Sequence, residues 1–212
     1  METALSTYLG RNAGQQVLRG KIRAGHGELV KAAILFADLH DFTSLTERLG
    51  PEETVGLLND YFDCLVVPIE QHGGYVLKFI GDAVLGFFPV DVPDDPEPAP
   101  MAAVHAIRGR LTELNQVRTA RNESPLHHGL CMHFGEVLYG NIGSSERLDF
   151  TIIGTAVNVA QRCLEYTRVL GADYLFTEAF ARQFAVAGLQ SVGAHRLRGV
   201  EDTVPLLKLV PN

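Results

Sequence analysis

The stretch ILFADLHDFT, residues 34–43, carries an apolar run straight into the carboxylate of Asp38. Upstream the chain is mostly apolar from residue 28, with Val30, Ile34, Leu35 and Phe36, so residues 28–39 predict a strand covered on both faces. Asp38 then stands at the strand end. An isolated ionised carboxylate in low dielectric is costly, so such a group is paired, hydrogen-bonded or bound to a cation.

Beyond Pro51, Val55, Leu58, Phe62, Leu65 and Ile69 recur at steps of three and four. That spacing predicts an amphipathic helix closed by Gly73 and Gly74, with Pro68 bending its last turns. The segments YVLKFI and AVLGFF, separated by Gly81 and Asp82, have the form of a hairpin and put a second acid at a turn. The stretch PVDVPDDPEPAP predicts an exposed, extended loop. A helix over 101–121, a strand over 126–138, a turn at Gly140, Gly143, Ser144 and Ser145, and a strand ending at Ile153 follow. Gly154 and Thr155 open another helix, with Thr155 as its N-cap and Gly171 as its stop. Strands over 189–197 and 204–210 complete the chain. Interleaved strands and helices with frequent hairpins predict an α/β fold with a mixed sheet.

Residues 1–27, with Gly10, Gly14, Gly20, Gly25 and Gly27 and no sustained apolar stripe, read as a connector, leaving 28–212 as one domain. At 46% hydrophobic content, 212 residues suffice for one sizeable core. No apolar run approaches the roughly 18 residues of a membrane span, and the first residues lack a basic-then-apolar signal, so the chain reads as soluble. Cys64, Cys131 and Cys163 are far apart and odd in number. They fit neither a disulfide framework nor a CxxC knuckle, which points to a reducing compartment, with the cytoplasm as the default. A formal net charge of -7 argues against a nucleic-acid groove. An anionic ligand needs local help from cations.

Asp38 and Asp82 converge if the first strand lies beside the hairpin. Two carboxylates held that close repel, and paired Mg2+ ions about 4 Å apart are the usual remedy, one suited to phosphoryl transfer. The competing reading is that each Asp caps a turn. In GTAVNVAQRCLEYTR, Val157, Ala160 and Leu164 form an apolar stripe, while Asn158, Arg162 and Glu165 line another face. An amide and a guanidinium near a helix start suit a phosphate oxygen, although a solvated polar face has the same pattern. Lys78 and Thr151 each interrupt an apolar strand. A buried ammonium needs an acceptor such as a purine ring nitrogen or a carboxylate; an edge position facing water is the alternative. His127, His128, Cys131 and His133 do not make a zinc site, because His127 and His133 on one strand lie about 20 Å apart.

Four stretches carry a more specific signal in combination: ILFADLHDFTSLTERL, GGYVLKFIGDAVLGFFP, HFGEVLYGNIGSSERLDFTIIGTAVNVAQR and LRGVEDTVPL. In this order and spacing they resemble the class III nucleotidyl cyclase catalytic domain, from about residue 28 to the end. The resemblance implies a ferredoxin-like, palm-type mixed sheet with flanking helices, and conversion of ATP to 3′,5′-cyclic AMP and pyrophosphate in intracellular signalling. By position it makes Asp38 and Asp82 the metal-binding pair for two Mg2+ or Mn2+ ions, with the Leu39 carbonyl completing one coordination shell. Lys78 and Thr151 match the pair that recognises adenine. Many members have Asp at the second place, Thr resembles a subgroup often regulated by bicarbonate, and guanylyl cyclases typically carry Glu and Cys.

Asn158 and Arg162 match the residues that stabilise the transition state. Phe42 and Thr43 fall in the loop expected to wrap the triphosphate, and Arg198 stands where a Lys often contacts its terminal phosphates, a change of reach rather than of charge. One departure is Asp41, where members often have Gly. The resemblance also implies a head-to-tail homodimer in which one chain supplies the aspartates and the other the adenine pair, Asn and Arg, with residues 1–27 joining an upstream regulatory domain. A guanylyl cyclase and a catalytically degenerate nucleotide-binding or dimerisation module are the alternatives. A diguanylate cyclase is disfavoured, because GGYVL lacks the acids of that family's motif.

Overall fold

The computed structural model describes residues 27–90, 99–144, 146 and 148–210. The expected connector and most of the acidic proline-rich loop lie outside them. The elements, in chain order, are β1 (Gly27–Leu39), α1 (Phe42–Thr46), α2 (Pro51–Gln71), β2 (Tyr75–Ile80), β3 (Ala83–Pro89), α3 (Ala99–Ala120), β4 (His128–Gly143), β5 (Leu148–Ile153), α4 (Thr155–Leu170), β6 (Tyr174–Thr177), α5 (Glu178–Gln183), β7 (Leu189–His195) and β8 (Val204–Leu209).

The strands form one mixed sheet in the order β2-β3-β1-β4-β6-β8-β7, with β5 added to the far end of β4. The first four strands, joined by a helical crossover, a hairpin and a second crossover, give the order β2-β3-β1-β4 of a ferredoxin-like palm. β1 is the central strand, and its side chains divide by parity. Ala33, Leu35, Ala37 and Leu39 enter one core with α2, α3 and α5, while Ala32, Ile34 and Phe36 enter the other with α4. Helices therefore cover both faces, as the unbroken apolar run requires.

Three local features differ from the sequence expectations. β4 runs through Gly140 to Gly143, because β5 pairs with it from Leu138↔Ile153 to Gly143↔Leu148, and the turn begins only after Gly143. Gly154, not Thr155, caps α4: its φ of 151° lies where L side chains rarely go, and a Cβ there would meet the Glu136 carbonyl at 3.3 Å. β6 and α5 were not expected from the sequence at all. Thr177 links them, its Oγ1 accepting the Phe180 amide at 3.3 Å as an N-cap.

Close approach of α4 to β4 depends on Gly129. A Cβ at Gly129 would collide with Thr167 Oγ1 and lie 2.9 Å from His40 Nε2. Thr167 is fully buried and its hydroxyl donates to the Leu164 carbonyl, so it has little room to retreat. Gly129→Ala is expected to cost about 1–3 kcal/mol by overpacking. Thermal unfolding should register that as a Tm lower by several degrees, and an unchanged Tm would show that the helix can shift freely.

Candidate active site

The site begins where β1 meets the β2–β3 hairpin. β1 pairs with β3 through Ala37↔Val84, which brings the end of β1 beside the Gly81–Asp82 turn. Gly81 has φ 65° and Asp82 does not have positive φ, as a two-residue II′ hairpin loop requires. The Leu39 amide donates to Asp82 Oδ2 at 3.1 Å, so the second acid is tied to the residue after the first. The two carboxylates are close enough for Asp82 to raise the Asp38 pKa. Convergence of these acids, conditional in the sequence, is a property of the folded chain.

Asp38 is a strained anion. Burial is the main influence and pushes its carboxyl up from the usual carboxylate range to about 6; Asp82 adds to the rise and the Arg168 guanidinium opposes it. Because the folded pKa exceeds the unfolded one, the folded chain holds a proton between about pH 4 and 6 that the unfolded chain has released. Stability therefore falls as pH rises through that window, by up to about 3 kcal/mol.

Arg168, which sequence reasoning passed over, reaches this point from the last turn of α4. Its Nη2 donates to the Leu39 carbonyl at 2.8 Å and lies 3.7 Å from Asp38 Oδ2. The Leu39 oxygen and the Asp38 carboxylate thus face a common point that already attracts a cation. With Asp82 alongside, the donors are all oxygen, a set that suits a hard divalent ion such as Mg2+ or Mn2+ and not a soft one.

The four-residue zinc alternative dissolves geometrically. His128 and His133 are five residues apart on β4, on opposite faces of the strand. His128 Nε2 lies 2.9 Å from the Tyr174 hydroxyl and His133 Nδ1 lies 2.8 Å from Thr177 Oγ1. Burial lowers the pKa of both, to about 3 and about 4, so they stay neutral core residues.

The remaining expected residues are spread over three elements, Lys78 on β2, Thr151 on β5, and Asn158 and Arg162 on α4. β2 carries a bulge between Val76 and Lys78, which breaks its alternation and re-aims Lys78. The Lys78 ammonium sits 2.5 Å from Asp149 Oδ2 on β5, with the two side chains 34% and 50% exposed. Thr151, two residues further along the same face of β5, is buried. The charge on Lys78 is thus met by a carboxylate that sequence reasoning did not name.

On α4, Ala156, Val159, Ala160, Cys163 and Leu164 are buried against the sheet. Asn158 is exposed on another face. Arg162 is half-buried, and its Nη1 donates to Glu165 Oε1. Among the described residues no hydrogen bond or ion pair joins Asp38 or Asp82 to Lys78, Thr151, Asn158 or Arg162.

The expected triphosphate residues are more dispersed. Phe42 opens α1 and packs against the first core, Thr43 is exposed, and Arg198 is exposed in the β7–β8 connection. Asp41, immediately before them, is exposed with φ 57° and ψ 27°. This is the left-handed region that glycine enters without cost, so the backbone here would accept the Gly that the resemblance leads one to expect. Asp is among the few other residues that tolerate it.

The family model described as Adenylate and Guanylate cyclase catalytic domain matches residues 26–168. An adenylate cyclase of Anabaena cylindrica is 32% identical over 165 residues, covering 77% of this chain and 33% of that protein. Adenylate cyclase 1 of Rhizobium meliloti is 28% identical over 204 residues, covering 92% of this chain and 30% of that protein. The chain thus spans about a third of the length of these curated relatives. Among solved structures, a bacterial light-regulated adenylyl cyclase superposes with TM-score 0.84 at 30% identity, covering 98% of this chain and 60% of the other. The guanylyl cyclase Cya2 superposes with TM-score 0.71 at 31% identity, covering 86% and 92%.

Proposed function

Because this chain belongs to the adenylate and guanylate cyclase catalytic-domain family, we propose that it converts ATP to 3′,5′-cyclic AMP and pyrophosphate, in a site shared by two chains arranged head to tail. The observation that carries the reading is the placing of Asp38 and the Leu39 carbonyl around one cation-attracting point, with Asp82 tied to the Leu39 amide beside them. In this reading residues 28–212 are the catalytic domain, working in the cytoplasm.

Asp38, Asp82 and the Leu39 carbonyl of one chain hold two Mg2+ or Mn2+ ions. When bound, the ions lower the pKa of the ribose 3′-hydroxyl and offset the charge of the leaving phosphates. Asn158 of the other chain orients the ribose, and Arg162 pairs with the charge that develops as the 3′-oxygen attacks the α-phosphorus and pyrophosphate departs. Lys78 and Thr151 read the adenine edge. Phe42, Thr43 and Arg198 border the triphosphate.

Exposed apolar side chains at strand ends support the division between chains: Phe79 and Ile80 close β2 at 54% and 51% exposed, and Ile153 closes β5 at 45%. No helix among the described residues is long and apolar enough to cross a membrane.

The test is product identification with ATP and GTP across protein concentrations. Cyclic AMP formed with a specific activity that rises on dimerisation supports the proposal. Cyclic GMP alone would favour a guanylyl cyclase, and no cyclic product a nucleotide-binding or dimerisation module. Lys78→Glu combined with Thr151→Cys is expected to shift the kcat/KM ratio toward GTP by at least tenfold, since each exchange replaces a group facing the purine edge. An unshifted ratio would remove the pair from substrate selection.

The elevated Asp38 pKa adds a pH signature. The carboxylate must be ionised to hold a cation, so metal affinity should weaken by about tenfold per pH unit below about 6. Addition of Mn2+ is expected to raise the Tm by several degrees at pH 7 and hardly at all at pH 5. Equal stabilisation at both would contradict Asp38 as a ligand.

A further inference from the structure

Lys78 and Asp149 form an ion pair across two strands that are not sheet neighbours, with 2.5 Å between Nζ and Oδ2. The pair is 34% and 50% exposed, and at such exposure it contributes little to stability. Its effect on orientation is larger. Lys78 follows the β2 bulge, where the strand no longer fixes its direction, and its flexible stem has many rotamers. Asp149 shares a face of β5 with the buried Thr151, so holding the ammonium to Asp149 keeps it on the Thr151 side.

We propose that Asp149 is a positioning residue for purine recognition: its carboxylate fixes the Lys78 ammonium so that a remaining donor is aimed at a purine ring nitrogen. The proposal rests on the reading of Lys78 given above. An ammonium has three donors, and Asp149 occupies one, so the pair need not open when nucleotide binds. Without Asp149 the ammonium must be ordered by the ligand itself, which costs roughly three- to tenfold in affinity. The acceptor to probe is N1 of adenine, which can accept the ammonium's hydrogen bond, whereas N1 of guanine carries a proton and cannot.

The test measures both turnover and binding of a fluorescent ATP analogue by the full chain, for the original protein and for Asp149→Ala, Lys78→Ala and the double variant. Asp149→Ala is expected to raise KM for ATP and weaken analogue binding by roughly three- to tenfold with kcat nearly unchanged. The double variant should be no weaker than Lys78→Ala alone, because Asp149 acts through Lys78. With 1-deaza-ATP, which lacks the ring nitrogen, the Asp149→Ala effect should vanish.

An unchanged KM and affinity in Asp149→Ala, additive losses in the double variant, or an equal loss with 1-deaza-ATP would each overturn the proposal. A Tm within a degree or two of the original shows that a change in KM is not misfolding. If the original protein neither binds nor turns over ATP, the nucleotide reading itself fails and this inference with it; if it does both and Asp149→Ala is silent, only the inference fails.

Discussion

Replacing Asp38 by Ala is expected to lower cyclic AMP formation by about a thousandfold while leaving the chain at least as stable at pH 7 without metal. The two halves of this result come from one cause. Burial and the neighbouring Asp82 make the Asp38 anion unfavourable in the folded chain, with a pKa pushed up to about 6, and Arg168 offsets only part of that. Deleting the carboxylate relieves the penalty. The proposed mechanism needs the same carboxylate ionised, because with it gone only Asp82 and the Leu39 carbonyl would remain to hold a cation. A gain in stability joined to a loss of activity is the mark of a residue kept for chemistry. Activity assays on Asp38→Ala, paired with denaturant melts at pH 7 and pH 4.5, check both halves. The stability gain should shrink at the lower pH, where the original residue is already protonated. Retained activity would remove Asp38 from the site, and a lower stability at pH 7 would show that its charge is well satisfied.

Arg162→Ala is expected to reduce kcat by about a hundred- to a thousandfold, with little change in KM. Arg162 is assigned to charge that develops during the reaction, so its loss weakens the transition state more than the ground state. Its side chain is 25% exposed and its visible partner, Glu165, lies on the same helix at i+3. Such a pair contributes about 0.2–0.5 kcal/mol, so the fold should not notice the change. Arg162→Lys keeps the charge but loses the planar fork, and should recover only part of the rate. A large rise in KM with kcat intact would reassign Arg162 to ground-state binding.

Local pattern made a good part of this structure legible. The two-sided burial of β1 was readable because a short apolar run without alternation, carrying Val30, Ile34 and Phe36, fits a strand with a core on each side. The Gly81–Asp82 hairpin was readable because two apolar segments separated by such a dipeptide have few alternatives. What local pattern could not give was the identity of partners. Arg168 meets the Leu39 carbonyl across 129 residues, and in sequence it is merely a basic residue in the last turn of a helix, where the dipole favours it. Asp149 reads as a turn-flanking acid until β5 folds against β2. β6 spans four residues, too few to show a period, yet Thr177 followed by Glu178 was an available helix-start signal. Gly140 and Gly143 mimic a turn because glycine weakens a strand in isolation, whereas pairing with β5 holds them extended.

The proposed division of labour makes every functional set necessary but not all of them necessary in the same chain. Asp38→Ala disables the acid half and leaves the purine and arginine half intact; Arg162→Ala does the reverse. Mixing the two inactive chains in equal amounts should restore cyclic AMP formation to about a quarter of the original specific activity, because random pairing places one undamaged site in half of the symmetric dimers. A mixture as inactive as either variant alone would contradict a site assembled from two chains.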